Sequence, residues 1–268
     1  MRINSNSLNE REEETMDYGL EGKVALVTGT ASRKGMAKAI SLMLAKEGCD
    51  IVSIDINLEG AEQTAEEVRN LGRRALALKA DVADNAEVKE MVKAALAEFS
   101  QIDILVNAAG MAIMGGVSFF DEKPETWEKE MGVNLYGTMN CCQAVVPGMV
   151  ERQYGKIINF SSIGARLGST TGYGPAKAGI TSFTRALASS VGPSGINVNA
   201  VAPGVVDTAF FGSNEGLSEE MLKGIIANIP MRRIQTVEDV AHLVTFLASD
   251  ISRNIAAQTI FIDGGYLT

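Results

Sequence analysis

The chain has 268 residues, 46% hydrophobic and 21% charged, with a formal net charge of −9; this suits one large α/β domain with a sizeable core. The acidic balance argues against nucleic acid or an anionic membrane as a partner, because affinity for both comes mainly from Lys and Arg. Three cysteines without a CxxC pair and a single histidine, His242, leave little material for a disulfide framework, a His-based metal site or a Ser-His triad, and no bound metal is expected.

Residues 1–18 are polar and carry Glu10, Glu12, Glu13, Glu14 and Asp17 against Arg2 and Arg11. They predict a flexible acidic tail ahead of one folded domain over 19–268. They lack the apolar centre of a signal peptide, and no apolar run reaches the roughly 18 residues that a membrane span needs, so a cytoplasmic protein is expected. Residues 23–28 read as a buried strand, followed by a Gly-containing turn and a helix over 36–47 that Gly48 ends. A second strand follows at 50–55 and an amphipathic helix at 59–71, stopped at Gly72. Strand 74–79, helix 87–99 and strand 102–106 continue the alternation, then helix 126–150, strand 156–161, helix 173–191 and strand 196–202. Helix 237–249 and strand 259–262 complete it. Strands that are apolar without alternation, separated by crossover helices, predict a doubly wound parallel sheet of about seven strands with helices on both faces. Residues 205–230 show weak periodicity apart from a short helix over 218–227, and with Phe210 and Phe211 they are expected to form a lid over an apolar pocket.

The junction between the first strand and its helix reads Thr28-Gly29-Thr30-Ala31-Ser32-Arg33-Lys34-Gly35. A turn with little side-chain bulk at a helix N-terminus offers free backbone N–H groups and a positive dipole end to phosphate. Asp55 closes the second strand, 26 residues after Gly29, with Ile56 beside it. A carboxylate there accepts hydrogen bonds from ribose hydroxyls and repels a 2′-phosphate, which favours NAD over NADP. Arg33 and Lys34 pull the other way, since a guanidinium pairs with phosphate, or they neutralise a pyrophosphate common to both. Later in the chain, Tyr173 and Lys177 stand four residues apart on one predicted helix face. A nearby ammonium favours the phenolate and would bring a phenol of pKa near 10 toward a working range. Pro175 falls in the first turn of that helix, where proline is tolerated.

Together these segments resemble the short-chain dehydrogenase/reductase family, in its single-domain Rossmann-type form, over about residues 20–266. Residues 28–35 resemble its glycine-rich fingerprint, with Arg33 in place of the middle glycine. Asp81-Val82 matches the segment that holds the adenine, and Asn107-Ala108-Ala109-Gly110 matches the NAAG motif, in which Asn107 ties neighbouring strands. Residues 199–208 match the family's N-x-x-x-P-G-x-x-x-T run, so Pro203, Gly204, Val206 and Thr208 are expected around the nicotinamide. Asp263-Gly264-Gly265 matches a closing turn near a subunit interface.

The resemblance implies a tetrad of Asn134, Ser162, Tyr173 and Lys177. Ser162 and Tyr173 would bind the reacting oxygen, Tyr173 exchanging the proton. Lys177 would hold the nicotinamide ribose, and Asn134 a water linking Lys177 to solvent. Eleven residues separate Ser162 from Tyr173, two fewer than the family's commonest spacing. That leaves Ser161 as the rival for the serine role, because only one of two adjacent strand residues can face the site.

A pocket of Met111, Met114, Ile163, Gly204, Phe210 and Phe211, with Met221 nearby, would suit a partly apolar substrate. Arg166 is read as a surface residue, with contact to an anionic substrate the alternative. The function expected is NAD-dependent interconversion of a secondary alcohol and a ketone, with NADP as the other cofactor choice, by a homotetramer or dimer. A 3-oxoacyl-acyl-carrier-protein reductase is the competing enzyme, and an NAD-sensing interaction protein the competing non-enzyme.

Overall fold

A parallel strand has no polar face, so both sides of such a sheet must be covered by helices. The computed structural model describes residues 17–113, 119–168, 172–206, 208 and 218–267. Strands β1 (Val24–Thr28), β2 (Asp50–Asp55), β3 (Ala75–Lys79), β4 (Ile104–Asn107), β5 (Gly155–Phe160), β6 (Ile196–Pro203) and β7 (Thr259–Ile262) form a seven-stranded sheet in the order β3-β2-β1-β4-β5-β6-β7. Every pairing in it is parallel. The helices are α1 (Met36–Lys46), α2 (Leu58–Asn70), α3 (Asn85–Phe99), α4 (Pro124–Met131), α5 (Gly137–Arg152), the single turn α6 (Gly164–Leu167), α7 (Tyr173–Val191), α8 (Glu219–Asn228) and α9 (Val237–Ala248).

Successive residues of β1 divide between two cores, as strand geometry requires. Val24 and Leu26 pack with α3, α5 and α7, through residues such as Val88, Val92, Val145 and Val191. Ala25 and Val27 pack on the opposite face with α1 and α9, through Ile40, Leu44, Val240 and Val244. Side-chain caps fix several helix starts: Asp84 accepts from Ala86 and Glu87 N–H at α3, and Thr236 forms a capping box with Asp239 at α9.

The order places β1 between β2 and β4, so successive crossovers leave β1 in opposite directions and a crevice opens at its carboxyl end. Gly29 turns the chain there with φ +84°, and a Cβ on it would lie 2.8 Å from Ala109 Cα. Only glycine allows this approach of the first turn to the fourth. Beneath the crevice runs a buried polar chain. Asn107 Nδ2 donates to Asn159 Oδ1 at 2.9 Å and Asn159 Nδ2 to Thr184 Oγ1 at 3.0 Å, joining β4, β5 and α7.

The sheet and helix order match the expectation from the sequence, with ends displaced by a residue or two. Tyr18, at the end of the expected tail, packs against the α1/α9 core, and its carbonyl accepts from Asp250 N–H at 3.1 Å. The long helix expected near 126–150 is α4 and α5 joined by a wide π turn, Gly132–Tyr136. In the expected lid, α8 forms, while Phe210 and Phe211 lie outside the described residues, as does Met114.

Asn159→Leu keeps the branched shape of the side chain but removes a donor and an acceptor from the chain between β4 and α7. It is expected to lower unfolding free energy by roughly 1–3 kcal/mol, read by denaturant titration. An unchanged midpoint would show that the polar chain does not support the sheet.

Candidate active site

The carboxyl ends of the strands line one cleft of about 900 Å³. At one end stand Gly29, Ser32 and Gly35, the last being the N-cap of α1 with no side-chain cap. Asp55 and Ile56 follow, then Asp81 and Val82, Ala108, Ala109, Gly110 and Met111. At the other end are Ser162, Ile163, Tyr173, Lys177, Gly204, Val206 and Thr208. Sequence reading overlooked other wall residues, including Met36, Ala112, Lys129, Val133 and Leu167; these are ordinary apolar or surface residue types that carry no motif.

Three expected residues stand behind the wall rather than in it: Asn107, Asn134 and Pro203. Arg33 and Lys34 are exposed at the loop's outer side and also lie outside the wall. Arg33 replaces glycine without left-handed backbone, since it is absent from the positive-φ residues. The loop is held by its neighbours. Thr28 Oγ1 accepts from the N–H groups of Ala108 and Ala109 at 3.1 and 3.0 Å. Asp55 Oδ2 accepts from Ala31 N–H at 2.9 Å and Oδ1 from Asn57 N–H at 3.0 Å. Those bonds leave the half-buried carboxylate facing the cleft from the end of β2.

The two adjacent serines part company. Ser161 Oγ is buried against α7, within 2.9 Å of the Lys177 carbonyl and 3.2 Å of Thr181 Oγ1. Ser162 is the one that shares a hydrogen bond with the Tyr173 hydroxyl, and its Oγ also accepts from Gly164 N–H at 3.1 Å. The alternation of β5 continues past its end and turns one serine to each side.

Lys177 is buried at 3% exposure, and its Nζ donates to the Phe160 carbonyl at 2.7 Å. It stands 5.5 Å from the centre of the Tyr173 ring. Burial pulls the ammonium down to about 7. Tyr173 is pushed up, chiefly by burial; the Ser162 hydrogen bond opposes this and the charge of Glu130 adds to it. The sequence pattern predicts that the neighbouring ammonium brings the phenol down; the shift instead runs upward, with burial as its largest cause. Asn134 sits in the π turn, where the extra residue rotates it inward. Its Nδ2 donates to the Met111 and Glu130 carbonyls at 2.7 and 2.8 Å, and its Oδ1 accepts from Met111 N–H at 3.3 Å. A Cβ on Gly110 would come within 2.8 Å of Asn134 Oδ1 and 3.4 Å of Lys177 Nζ, so Gly110 keeps these two side chains close.

The cysteines take no part. All three are buried and free, and burial pushes Cys49 and Cys141 up to about 12 and Cys142 up as well. Among the described residues no acidic, His or Cys cluster could hold a metal ion, and no helix is long and apolar enough to cross a membrane.

A family model described as enoyl-(acyl carrier protein) reductase matches residues 29–267. The (2S)-((R)-hydroxy(phenyl)methyl)succinyl-CoA dehydrogenase subunit BbsD of Thauera aromatica is 39% identical over 249 residues, 92% of this chain and 97% of that protein. The chain belongs to the short-chain dehydrogenase/reductase family. Another relative, the 3-oxoacyl-(acyl-carrier-protein) reductase of Thermotoga maritima, is 37% identical over 92% of this chain and 98% of its own length. A solved structure from Sinorhizobium meliloti 1021, provisionally described as a short-chain alcohol dehydrogenase, superposes with a TM-score of 0.87 at 33% identity, covering 94% of this chain and 99% of that one. Membership of the short-chain dehydrogenase/reductase family makes the chain an NAD(P)-dependent oxidoreductase of alcohol and ketone groups.

The burial of Lys177 couples folding to pH. The folded value of about 7 lies below the ordinary 10.5, so between them the unfolded chain binds more protons and folding strengthens as pH rises. Without added nucleotide, the stability of the wild type relative to Lys177→Met is expected to increase from about pH 7 toward pH 10.5. A pH-independent difference, measured by denaturant titration, would show that the ammonium is not desolvated.

Proposed function

We propose that the chain is an NAD-dependent dehydrogenase that oxidises a secondary alcohol to a ketone, with Ser162, Tyr173 and Lys177 as its catalytic residues and Asn134 supporting them. The observation that carries this reading is one continuous cleft with the Ser162–Tyr173 hydrogen bond and Lys177 at one end and the Asp55 carboxylate at the other. The residues fit a nicotinamide dinucleotide. Gly29 lets the first turn approach the segment after β4, the α1 N-terminus has no side-chain cap, and Gly204, Val205 and Val206 line the cleft with Lys177.

Gly29, Ser32 and Gly35 would hold the pyrophosphate, Asp55 the adenosine ribose, Asp81 and Val82 the adenine, and Gly204, Val206 and Thr208 the carboxamide end. When bound, the nucleotide supplies a hydride acceptor or donor, so no metal is required. The protein supplies the proton chemistry. The hydroxyls of Ser162 and Tyr173 hydrogen-bond the reacting oxygen, and Tyr173 takes its proton in oxidation or returns it in reduction. Lys177 favours the phenolate when charged and binds ribose hydroxyls. Asn134 fixes the backbone at Met111, and with it the wall facing the substrate. Met111 and Ile163 favour a partly apolar substrate. Assembly as a dimer or tetramer is part of the same proposal.

A second reading, an NADPH-dependent 3-oxoacyl-acyl-carrier-protein reductase, is favoured by the Thermotoga maritima relative and by the exposed Arg33 and Lys34 beside the glycine turn. A panel of secondary alcohols and ketones with both nucleotides, followed at the absorbance of the reduced nicotinamide, separates the two. NAD-linked oxidation is expected, falling by about 10²-fold or more in Tyr173→Phe, the loss of a general base; turnover unchanged in that variant would refute the mechanism. In binding titrations NADH is expected to bind more tightly than NADPH, and Asp55→Ala to narrow the gap. Tighter NADPH binding by the wild type would favour the second reading.

A further inference from the structure

Glu130 is a carboxylate on α4 with 0% exposure, a position where an apolar residue would avoid the penalty of burying charge. Its hydrogen bonds explain its placement. Oε1 accepts from Ile113 N–H at 2.6 Å, the short distance of a charge-assisted bond. Oε2 lies 2.6 Å from where a Cβ on Gly172 would stand, one residue before Tyr173. The Glu130 carbonyl accepts from Asn134 Nδ2 at 2.8 Å. One residue therefore touches the segment that follows β4, the π turn and the start of α7.

We propose that Glu130 is a positioning residue of the active site: it pins the chain at Ile113 against the start of α7 and sets a buried carboxylate beside the segment that carries Tyr173. The inference rests on the reading of Tyr173 as the acid–base group. The groups around that tyrosine give the charge its leverage. Lys177 on α7 is the cation beside the ring, and Ser162 after β5 is neutral. Arg166 on α6 lies over the Phe261 ring, 4.2 Å from its centre, and Lys129 on α4 is exposed on the cleft wall. Glu130 is thus a buried carboxylate packed against Gly172, the residue before Tyr173, and its charge adds to burial in pushing the hydroxyl up. Tyr173 must lose its proton before it can take one from an alcohol, so Glu130 raises the pH at which alcohol oxidation sets in. The small residue at Gly172 belongs to the same device, because any side chain there would displace the carboxylate.

The test uses the whole chain without nucleotide or substrate. Phenolate absorbance is titrated in the wild type and in Glu130→Gln, and the titration of the matching Tyr173→Phe chain is subtracted from each to isolate this tyrosine from the other four. Glutamine keeps an acceptor for Ile113 N–H and removes the charge. The Tyr173 midpoint is expected to fall by about one pH unit, the effect of losing a nearby like charge, with the circular dichroism spectrum preserved. An unchanged or raised midpoint in the folded variant would overturn the proposal. Glu130→Met, uncharged and of similar length, decides the question in the same way if the glutamine variant does not fold. Because the titration needs no substrate, a lowered midpoint in a chain that turns over no alcohol would uphold Glu130 and refute the proposed activity instead.

Discussion

The ammonium of Lys177 is the group on which the site is built. Placing a cation among apolar side chains is unfavourable unless its donors are used, and here the Phe160 carbonyl at the end of β5 is the acceptor. That bond requires the last residue of β5 and the first turns of α7 to stay in register. The two are also joined by Ser161 Oγ to the Lys177 carbonyl and by Asn159 to Thr184. The cost of burying the lysine keeps its charge labile near neutral pH, which suits a group that stabilises a phenolate and releases it again.

The sheet topology explains why the dinucleotide and chemical ends share one cleft. With β1 at the point where strand order reverses, the turns after β2 and β3 lie to one side of it and those after β4, β5 and β6 to the other. Close approach is then a matter of small residues at particular points. Gly29 lets the first turn meet Ala109, and Gly110 leaves room for Asn134 and Lys177. Polar side chains secure the turns: Thr28 to the backbone after β4, Asp55 to Ala31, Asn134 to Met111. The π turn reconciles a long helix that must bury apolar residues along its length with an asparagine that must face inward at one position.

Most of this was legible in the chain. Uninterrupted apolar strands such as residues 24–28 and 104–107 have no other stable use than a covered parallel sheet, and Tyr173 with Lys177 follows from helical spacing. What escaped depends on tertiary surroundings. Glu130 precedes Asn134 by four residues, so its place on the same inward face was available from periodicity, but a glutamate ordinarily signals solvent. The choice between Ser161 and Ser162 depended on where β5 ends. Whether Arg33 fits in place of the fingerprint's middle glycine depends on the backbone conformation there, which the residue itself does not encode. The direction of the Tyr173 shift also needed burial, which composition does not report.

The place where a nicotinamide dinucleotide binds decides most directly whether the cleft works as proposed, and a crystal structure of the chain with NAD would show it. The nucleotide should lie along the carboxyl ends of the strands, its pyrophosphate at Gly29–Gly35, its adenosine ribose on Asp55 and its second ribose on Lys177. A nucleotide bound elsewhere, or one in this cleft that leaves Lys177 without contact to a ribose, would contradict it.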